Sequence, residues 1–154
     1  MLMPYGDCPE VQQQVPVLRF PVPQPGSRLY ALSRLLASAV PGVDDSSLLW
    51  ITGYGIWPSS ENLHLYYRLR ESYGDRRLLA EAPAHLCLKH ETADLATLLH
   101  LTLLFGWDAY LMPDSDHLAA SFSHDEYIAV YARSFDLLTE VRAALDRMDI
   151  RSEP

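Results

Sequence analysis

Proline crowds the beginning of this chain and excludes helical structure from it. Six of the 11 prolines fall within the first 26 residues. Proline lacks a backbone N–H and disfavours helical geometry in the residue before it, so this density predicts extended structure that pairs only at a sheet edge. We therefore expect residues 1–26 to form a Pro-rich extended arm and residues 27–154 to form a single globular domain. Apolar side chains at Val17, Leu18, Phe20 and Val22 are available to dock the arm on that domain.

Hydrophobic periodicity and turn residues predict alternating strands and helices after the arm. Ser123-His124-Asp125-Glu126 matches the S-x-x-E capping box, which is typical of a helix start. The full prediction is a helix from about Arg28 to Ala39, a strand over Leu48–Thr52, a helix from Ser60 to Tyr73, a strand over Ala84–Leu88, a helix from Ala93 to Phe105, a hairpin of Trp107–Met112 with Leu118–Phe122, a helix starting at Ser123, and a final helix from Ser134 to Met148.

The order of these elements indicates the fold class. From Leu48 onward it reads β-α-β-α-β-β-α, preceded by the arm and one helix. Two βαβ-like crossovers favour helices packed on a mixed sheet, so we expect a single α/β or α+β domain. This order matches the thioredoxin arrangement, but the chain has no C-x-x-C motif and redox chemistry of that kind is not expected.

The chain is acidic, and its charge is uneven. Hydrophobic residues make up 49% of the sequence and the net charge is −8, which indicates a folded domain without the basic face that nucleic acid requires. From Asp108 to the end there are ten Asp and Glu against four Arg, a net of −6, whereas the first 107 residues carry a net of −2. A basic protein partner is therefore the more natural expectation.

The two cysteines and the apolar stretches indicate a cytoplasmic protein. Cys8 lies in the Pro-rich arm and Cys87 in a predicted strand, so no disulfide framework is expected. The N-terminus does not read as a signal peptide. The longest apolar stretch, Leu95 to Trp107, is too short to span a bilayer, and no membrane partner is expected.

The segment from Ile56 to Arg70 concentrates chemically diverse side chains in one turn and one helix. At 3.6 residues per turn Glu61, His64 and Arg68 share a helix face, which would suit acid–base and anion-binding roles in a small hydrolase or transferase. The same face is also typical of a solvated polar surface with ion pairs. A third interpretation is a partner-binding face, because Trp57, Tyr66, Tyr67 and Arg68 are residue types that dominate interface hot spots.

The second candidate region is acidic. Asp114, Asp116 and His117 lie in the predicted hairpin loop, and His124, Asp125 and Glu126 follow it. The hairpin is expected to bring the two groups together as an acidic binding patch, while turn chemistry and helix capping explain the same residues without function. Carboxylates with imidazoles can hold a divalent cation, but no metal-site signature is present. A G-x-S-x-G elbow, a Walker loop and a G-x-G-x-x-G motif are absent too, so no catalytic residue, metal or cofactor is predicted.

Several segments resemble a family of small bacterial proteins of unassigned function. The resemblance is carried by Ile56 to Asp75, including IWPSSENLHLYYRLR, and by Glu81–Leu86, Gly106–Leu111 and Ser123–Glu126. It covers roughly residues 48 to 131. The compact acidic build is also similar to that of immunity proteins, which neutralise secreted bacterial toxins.

We therefore expect a protein-binding module, most concretely an immunity-type inhibitor that occludes the active site of a basic toxin domain. The alternatives are the small enzyme using Glu61, His64 and Arg68 and an accessory protein of a phage or mobile element. The sequence does not indicate an oligomeric state. The residues expected to bind the partner are Trp57, Glu61, His64, Tyr66, Tyr67, Arg68, Asp114, Asp116, Asp125 and Glu126.

Overall fold

Strands and helices alternate through most of the chain and end in a three-stranded meander and a last helix. The computed structural model describes residues 16–24, 26–38, 46–53, 59–78, 81–114 and 118–151. The elements are β1 Val17–Pro21, α1 Gly26–Ser38, β2 Ser46–Gly53, α2 Ser59–Ser72, β3 Ala84–Leu88, a 3-10 turn at Lys89–Glu91, α3 Thr92–Leu104, β4 Asp108–Pro113, β5 Leu118–Ser123, β6 Tyr127–Ala132 and α4 Phe135–Asp146.

The six described strands form one open sheet in the order β1-β6-β5-β4-β2-β3. The fold is α+β, which is one of the two classes that the element order predicted. Every neighbouring pair of these strands is antiparallel, whereas a mixed sheet was expected. The difference arises because β3 and β4 run in the same direction but do not touch, since β2 lies between them and pairs with both.

Register across the sheet separates a buried face from an open one. Side chains alternate between faces along a strand, so residues paired across neighbouring strands share a face. One such row is wholly buried and consists of Leu18, Val130, Ala120, Leu111, Leu49 and His85. The buried side chains of the sheet join those of the helices in a single core cluster, so the described helices cover this face.

The helices follow amphipathic spacing. In α1 the buried residues Leu29, Leu32 and Leu36 recur every three or four positions, and α1 packs against α3. Helix α4 begins where the Ser134 hydroxyl accepts a hydrogen bond from the Leu137 N–H at 3.4 Å, as an N-cap serine does. None of the helices within the described ranges has the length and apolar character needed to cross a membrane.

The Pro-rich arm contributes an edge strand. Residues 17–21 pair with β6, the Ala132 N–H donates to the Pro16 carbonyl, and Leu18 and Phe20 are buried in the core. Residues 17–21 of the predicted arm are therefore an edge strand of the sheet. Residues 1–15 lie outside the described part of the chain.

The predicted helix at Ser123 is wrong, because Ser123–Glu126 is the turn between β5 and β6. The Ser123 hydroxyl accepts from the Asp125 N–H at 3.2 Å, and the Ser123 carbonyl accepts from the Glu126 N–H at 3.1 Å. Glu126 then takes a φ of 63°, which turns the chain out of helical geometry. The following run of aromatic and β-branched residues, Tyr127–Ala132, continues as β6.

Candidate functional site

The predicted binding residues on α2 fall on different sides of that helix. His64 and Arg68 are exposed, and Tyr67 is half-buried. Tyr66 is 0% exposed, so its predicted place in a binding surface is wrong. Helical spacing explains this, because Tyr66 points with Arg70 into the core while His64 and Arg68 point away. Trp57 lies outside the described residues, as does the side chain of Glu61.

Beneath α2 the structure holds a polar group of five side chains that the sequence analysis did not identify. We call Tyr66, Arg70, Tyr73, Asp75 and His85 the His85 cluster. The His85 ring is contacted at Nε2 by the Tyr66 hydroxyl and at Nδ1 by the Tyr73 hydroxyl, the latter at 3.1 Å. A neutral imidazole has one N–H donor and one bare acceptor nitrogen, so one hydroxyl donates to the ring and the other accepts from it.

Arg70 is the most unusual member of the His85 cluster. Its side chain is 0% exposed, and its Nη2 donates to Asp75 Oδ2 at 3.1 Å. Within the described part of the chain its Nε and Nη1 have no hydrogen-bond partner. The guanidinium carbon instead lies 5.5 Å from the ring centroid of Tyr66 and 5.8 Å from that of Tyr67, in the range of cation–π attraction.

The environment keeps His85, Tyr73 and Cys87 neutral near pH 7. Burial, with a smaller effect of Arg70, lowers the pKa of His85 to about 4. Partial burial raises the pKa of Tyr73 to about 12, and burial raises the pKa of the Cys87 thiol to about 11. A general base needs a pKa near the working pH and a cysteine nucleophile needs a thiolate, so neither role fits these side chains.

The predicted acidic patch is divided between the two ends of β5. Asp114 follows β4 at one end, whereas Asp125 and Glu126 lie in the turn at the other end. The expectation that the hairpin brings them together is therefore wrong, because strand β5, Leu118–Ser123, separates them. All three are exposed. Asp116 and His117 lie outside the described residues.

His124 lies in the turn between β5 and β6, beside Asp125 and Glu126, and is hydrogen-bonded to Asp108. Its backbone N–H donates to Asp108 Oδ1 at 2.8 Å, and its Nδ1 lies 2.9 Å from the same carboxylate. Hydrogen bonding to Asp108 raises the pKa of His124, with a smaller effect of Asp125. Among the described residues no three His, Cys, Asp or Glu side chains converge to hold a metal ion.

Among the described residues, the sheet face opposite the helices carries the largest group of accessible aromatic side chains. We call it the open face. Trp50 and Tyr110 are cross-strand partners at its centre, with ring centroids 6.2 Å apart, and both are half-buried. The other residues that define the open face are Leu48, Leu86 and Leu88 towards β3, Met112 beside them, and Tyr131, Tyr127, Val17 and Arg19 towards β1.

The open face has a shallow depression of about 470 Å³ on the β1 side. Tyr110, Tyr127 and Tyr131 line it together with Ser121, while Arg19 and Asp108 add one charge of each sign. It therefore offers aromatic surface, hydroxyl groups and charges to a partner that lies across the strands. Sequence reasoning assigned Trp50 and Tyr110 to strands but not to one face, because that assignment requires the strand order.

Comparisons of the chain with protein-family models, with curated proteins and with solved structures found no match to any of them.

Proposed function

We propose that this protein binds another protein through the open face, as an immunity-type inhibitor of a basic bacterial toxin domain. The observation that carries the proposal is the pair Trp50 and Tyr110 at the centre of a sheet face on which none of the described helices packs. Partner binding would explain why half-buried aromatic side chains are concentrated on a face that no described helix covers.

The composition of the open face suits protein recognition. Tyr and Trp supply large, rigid contact area with a polar group at one end, and they are enriched among interface hot spots. At the margins of the face Val17 is 43% exposed and Tyr127 is 40% exposed.

The exposed carboxylates at the two ends of the central strands favour a partner with a basic surface. Asp114 lies beyond one end of the central strands, and Asp125 and Glu126 lie beyond the other end. The aromatic centre is thus flanked at both ends by exposed negative charge, which is the arrangement of an apolar interface core with a polar rim. Such charges attract a basic toxin domain from a distance, while the aromatic side chains hold it after contact.

Replacing Trp50 with alanine is expected to accelerate dissociation of the partner about 30-fold, because a central aromatic anchor contributes about 2 kcal/mol. The association rate should change little, since loss of packing acts after the encounter. The measurement is surface plasmon resonance against each basic protein encoded beside the gene, purified in an inactive form.

The matched control is Tyr30→Ala, which removes an aromatic side chain that is 52% exposed on helix α1. It should leave both rates unchanged. Urea unfolding of each variant verifies that the fold persists. If Trp50→Ala and Tyr30→Ala bind alike, the open face is not the interface, and if none of the neighbouring proteins binds, the inhibitor proposal fails.

Neutralising the flanking carboxylates is expected to change the association rate rather than the dissociation rate. In the triple variant Asp114→Asn, Asp125→Asn, Glu126→Gln the association rate should fall about tenfold at low salt, because steering depends on long-range charge. Its dissociation rate should stay near that of the native protein. Stopped-flow association measured over a series of salt concentrations gives both the rate and its salt dependence.

The control for charge alone is a triple variant of exposed carboxylates on α4, Asp136→Asn, Glu140→Gln, Asp146→Asn. It changes the net charge equally but lies on the helical side of the sheet. Equal losses in the two triple variants would show that only net charge matters. An association rate that ignores salt would remove the electrostatic mechanism.

A further inference from the structure

We propose that two copies of this chain pair antiparallel through their β3 edges, about a two-fold axis at Leu86, so that both sheets join into one. Among the strands that the structure describes, β3 is the last of the sheet and pairs with β2 alone. The outward edge of β3 would then be the contact between the two copies.

The backbone of β3 presents groups suited to this pairing. The Ile51 N–H donates to the Pro83 carbonyl at 3.0 Å, which sets the alternation of the β2–β3 ladder. His85 and Cys87 then direct their N–H and C=O groups toward β2, and Ala84, Leu86 and Leu88 direct theirs outward. The Leu88 N–H is occupied by the Glu91 carboxylate at 2.8 Å. Leu86, at the middle of the edge, has no hydrogen-bond partner among the described residues.

The two edges of the sheet differ in their protection against pairing. Strand β1 ends in Pro21, with Pro16 before it, Pro23 after it and the exposed Arg19 in its middle. Prolines and charged side chains are the devices that keep an edge strand from adding another strand. Strand β3, with the sequence AHLCL, has neither a proline nor an outward-pointing charge within its five residues. Pro83 just before it directs its carbonyl toward β2, and Lys89 follows it. The β3 edge is therefore the less protected of the two.

Apolar side chains at this edge would be buried by the pairing. Leu86 is 64% exposed and Leu88 is 46% exposed, and both lie on the open-face side of β3. In an antiparallel pair centred on Leu86 the two copies place Leu86 beside the partner's Leu86 and Leu88 beside the partner's Ala84. The contact thus removes from water the leucines that are exposed in the single chain.

Charge favours an antiparallel over a parallel arrangement of two copies. A groove of about 400 Å³ runs along β3, with Arg77 and its ion-pair partner Asp75 near His85 and with Glu91 and Asp94 near Cys87. Antiparallel pairing reverses the partner, so the Arg77 end of each copy meets the Glu91 and Asp94 end of the other. A parallel arrangement would place like charges together. Self-complementarity of this kind is what a two-fold interface requires.

Sedimentation equilibrium of the full chain tests the pairing directly. At about 100 μM we expect the native protein to show twice the 17.4 kDa mass of one chain. Leu86→Lys should weaken the dimer at least tenfold, because it places two ammonium groups together at the axis. The control Leu104→Lys changes a leucine that is 49% exposed at the end of α3, and it should stay dimeric.

The charge arrangement has its own test. Asp94→Arg should weaken the dimer, because it places an arginine opposite the partner's Arg77. Adding Arg77→Glu to the same chain should restore part of the association, because positions 77 and 94 are then complementary again while Asp75 and Glu91 stay unchanged. A native protein that remains monomeric at about 500 μM overturns the proposal. So does a folded double variant that fails to recover. Mass is measured without any partner protein, so this result is independent of the proposed inhibitor function.

Discussion

Replacing Asp75 with alanine is expected to lower the free energy of unfolding by about 3 to 5 kcal/mol, the range found when one member of a buried ion pair is removed. The Arg70 side chain is 0% exposed, and Asp75 is the only carboxylate among the described residues that it contacts. Without Asp75 the guanidinium keeps the full desolvation penalty of a buried cation. The Tyr66 and Tyr67 rings offset only part of it.

Replacing the cation Arg70 should lower the free energy of unfolding much less than replacing the anion Asp75. Asp75 also accepts hydrogen bonds from the side chain of Arg77 at 2.9 Å and from its backbone N–H, and these bonds together with Arg70 hold the pKa of Asp75 far below its usual range. In Arg70→Met the carboxylate therefore keeps a partner, and methionine fills the core with similar volume. We expect a loss below about 1 kcal/mol, since apolar replacement of a buried charge is often tolerated.

Urea unfolding of three variants at pH 7 makes the comparison. Arg77→Ala is the control for the exposed half of the network, because its side chain is 62% exposed, and ion pairs of exposed side chains contribute little to stability. The expected order of destabilisation is Asp75→Ala first, with Arg70→Met and Arg77→Ala far behind. Equal losses in Asp75→Ala and Arg70→Met would show that the buried cation itself stabilises the fold.

The elements that sequence reasoning located are those with strong local signals. The run at Leu48–Thr52 and the hairpin across residues 113–117 were predicted because alternation and turn residues depend only on neighbours in the chain. Strand β6 was missed because the serine and acidic residues of Ser123–Glu126 suit a turn as well as a helix cap. No local feature of that segment distinguishes a turn from a helix start. The distinction comes from β6, which pairs between β1 and β5.

The site was less predictable than the fold for a similar reason. Tyr66 and Arg70 lie four residues apart on one side of α2, a spacing visible in the sequence, but an arginine on that side is more often taken as a mark of solvent exposure. His85 occupies an inward position of β3, and only the packing of α2 against the sheet supplies Tyr66 and Tyr73 as its partners. The open face likewise depends on the order of strands that are distant in sequence.

Acidification is expected to destabilise the protein through His85 before most carboxylates titrate. Burial lowers the pKa of His85 from 6.5 to about 4, so between these values the unfolded chain binds a proton that the folded protein does not. Stability therefore falls as the pH falls through this window. Integrated from pH 7 to about 4.5, the loss is about 2 kcal/mol, and it is largely complete before the carboxylates are protonated.

Urea unfolding at pH values between about 7 and 4.5 separates His85 from the other histidines. His85→Gln is less stable at pH 7 because it loses its contacts with the two tyrosine hydroxyls, but its stability should change little across the window. His124 acts with the opposite sign, since Asp108 raises its pKa and its contribution to stability is lost as the pH rises. His124→Gln should therefore make the acid-induced loss steeper. Parallel pH curves for the native protein and His85→Gln would mean that His85 is protonated in the folded state at mildly acidic pH, and the neutral-imidazole description of the cluster would be wrong.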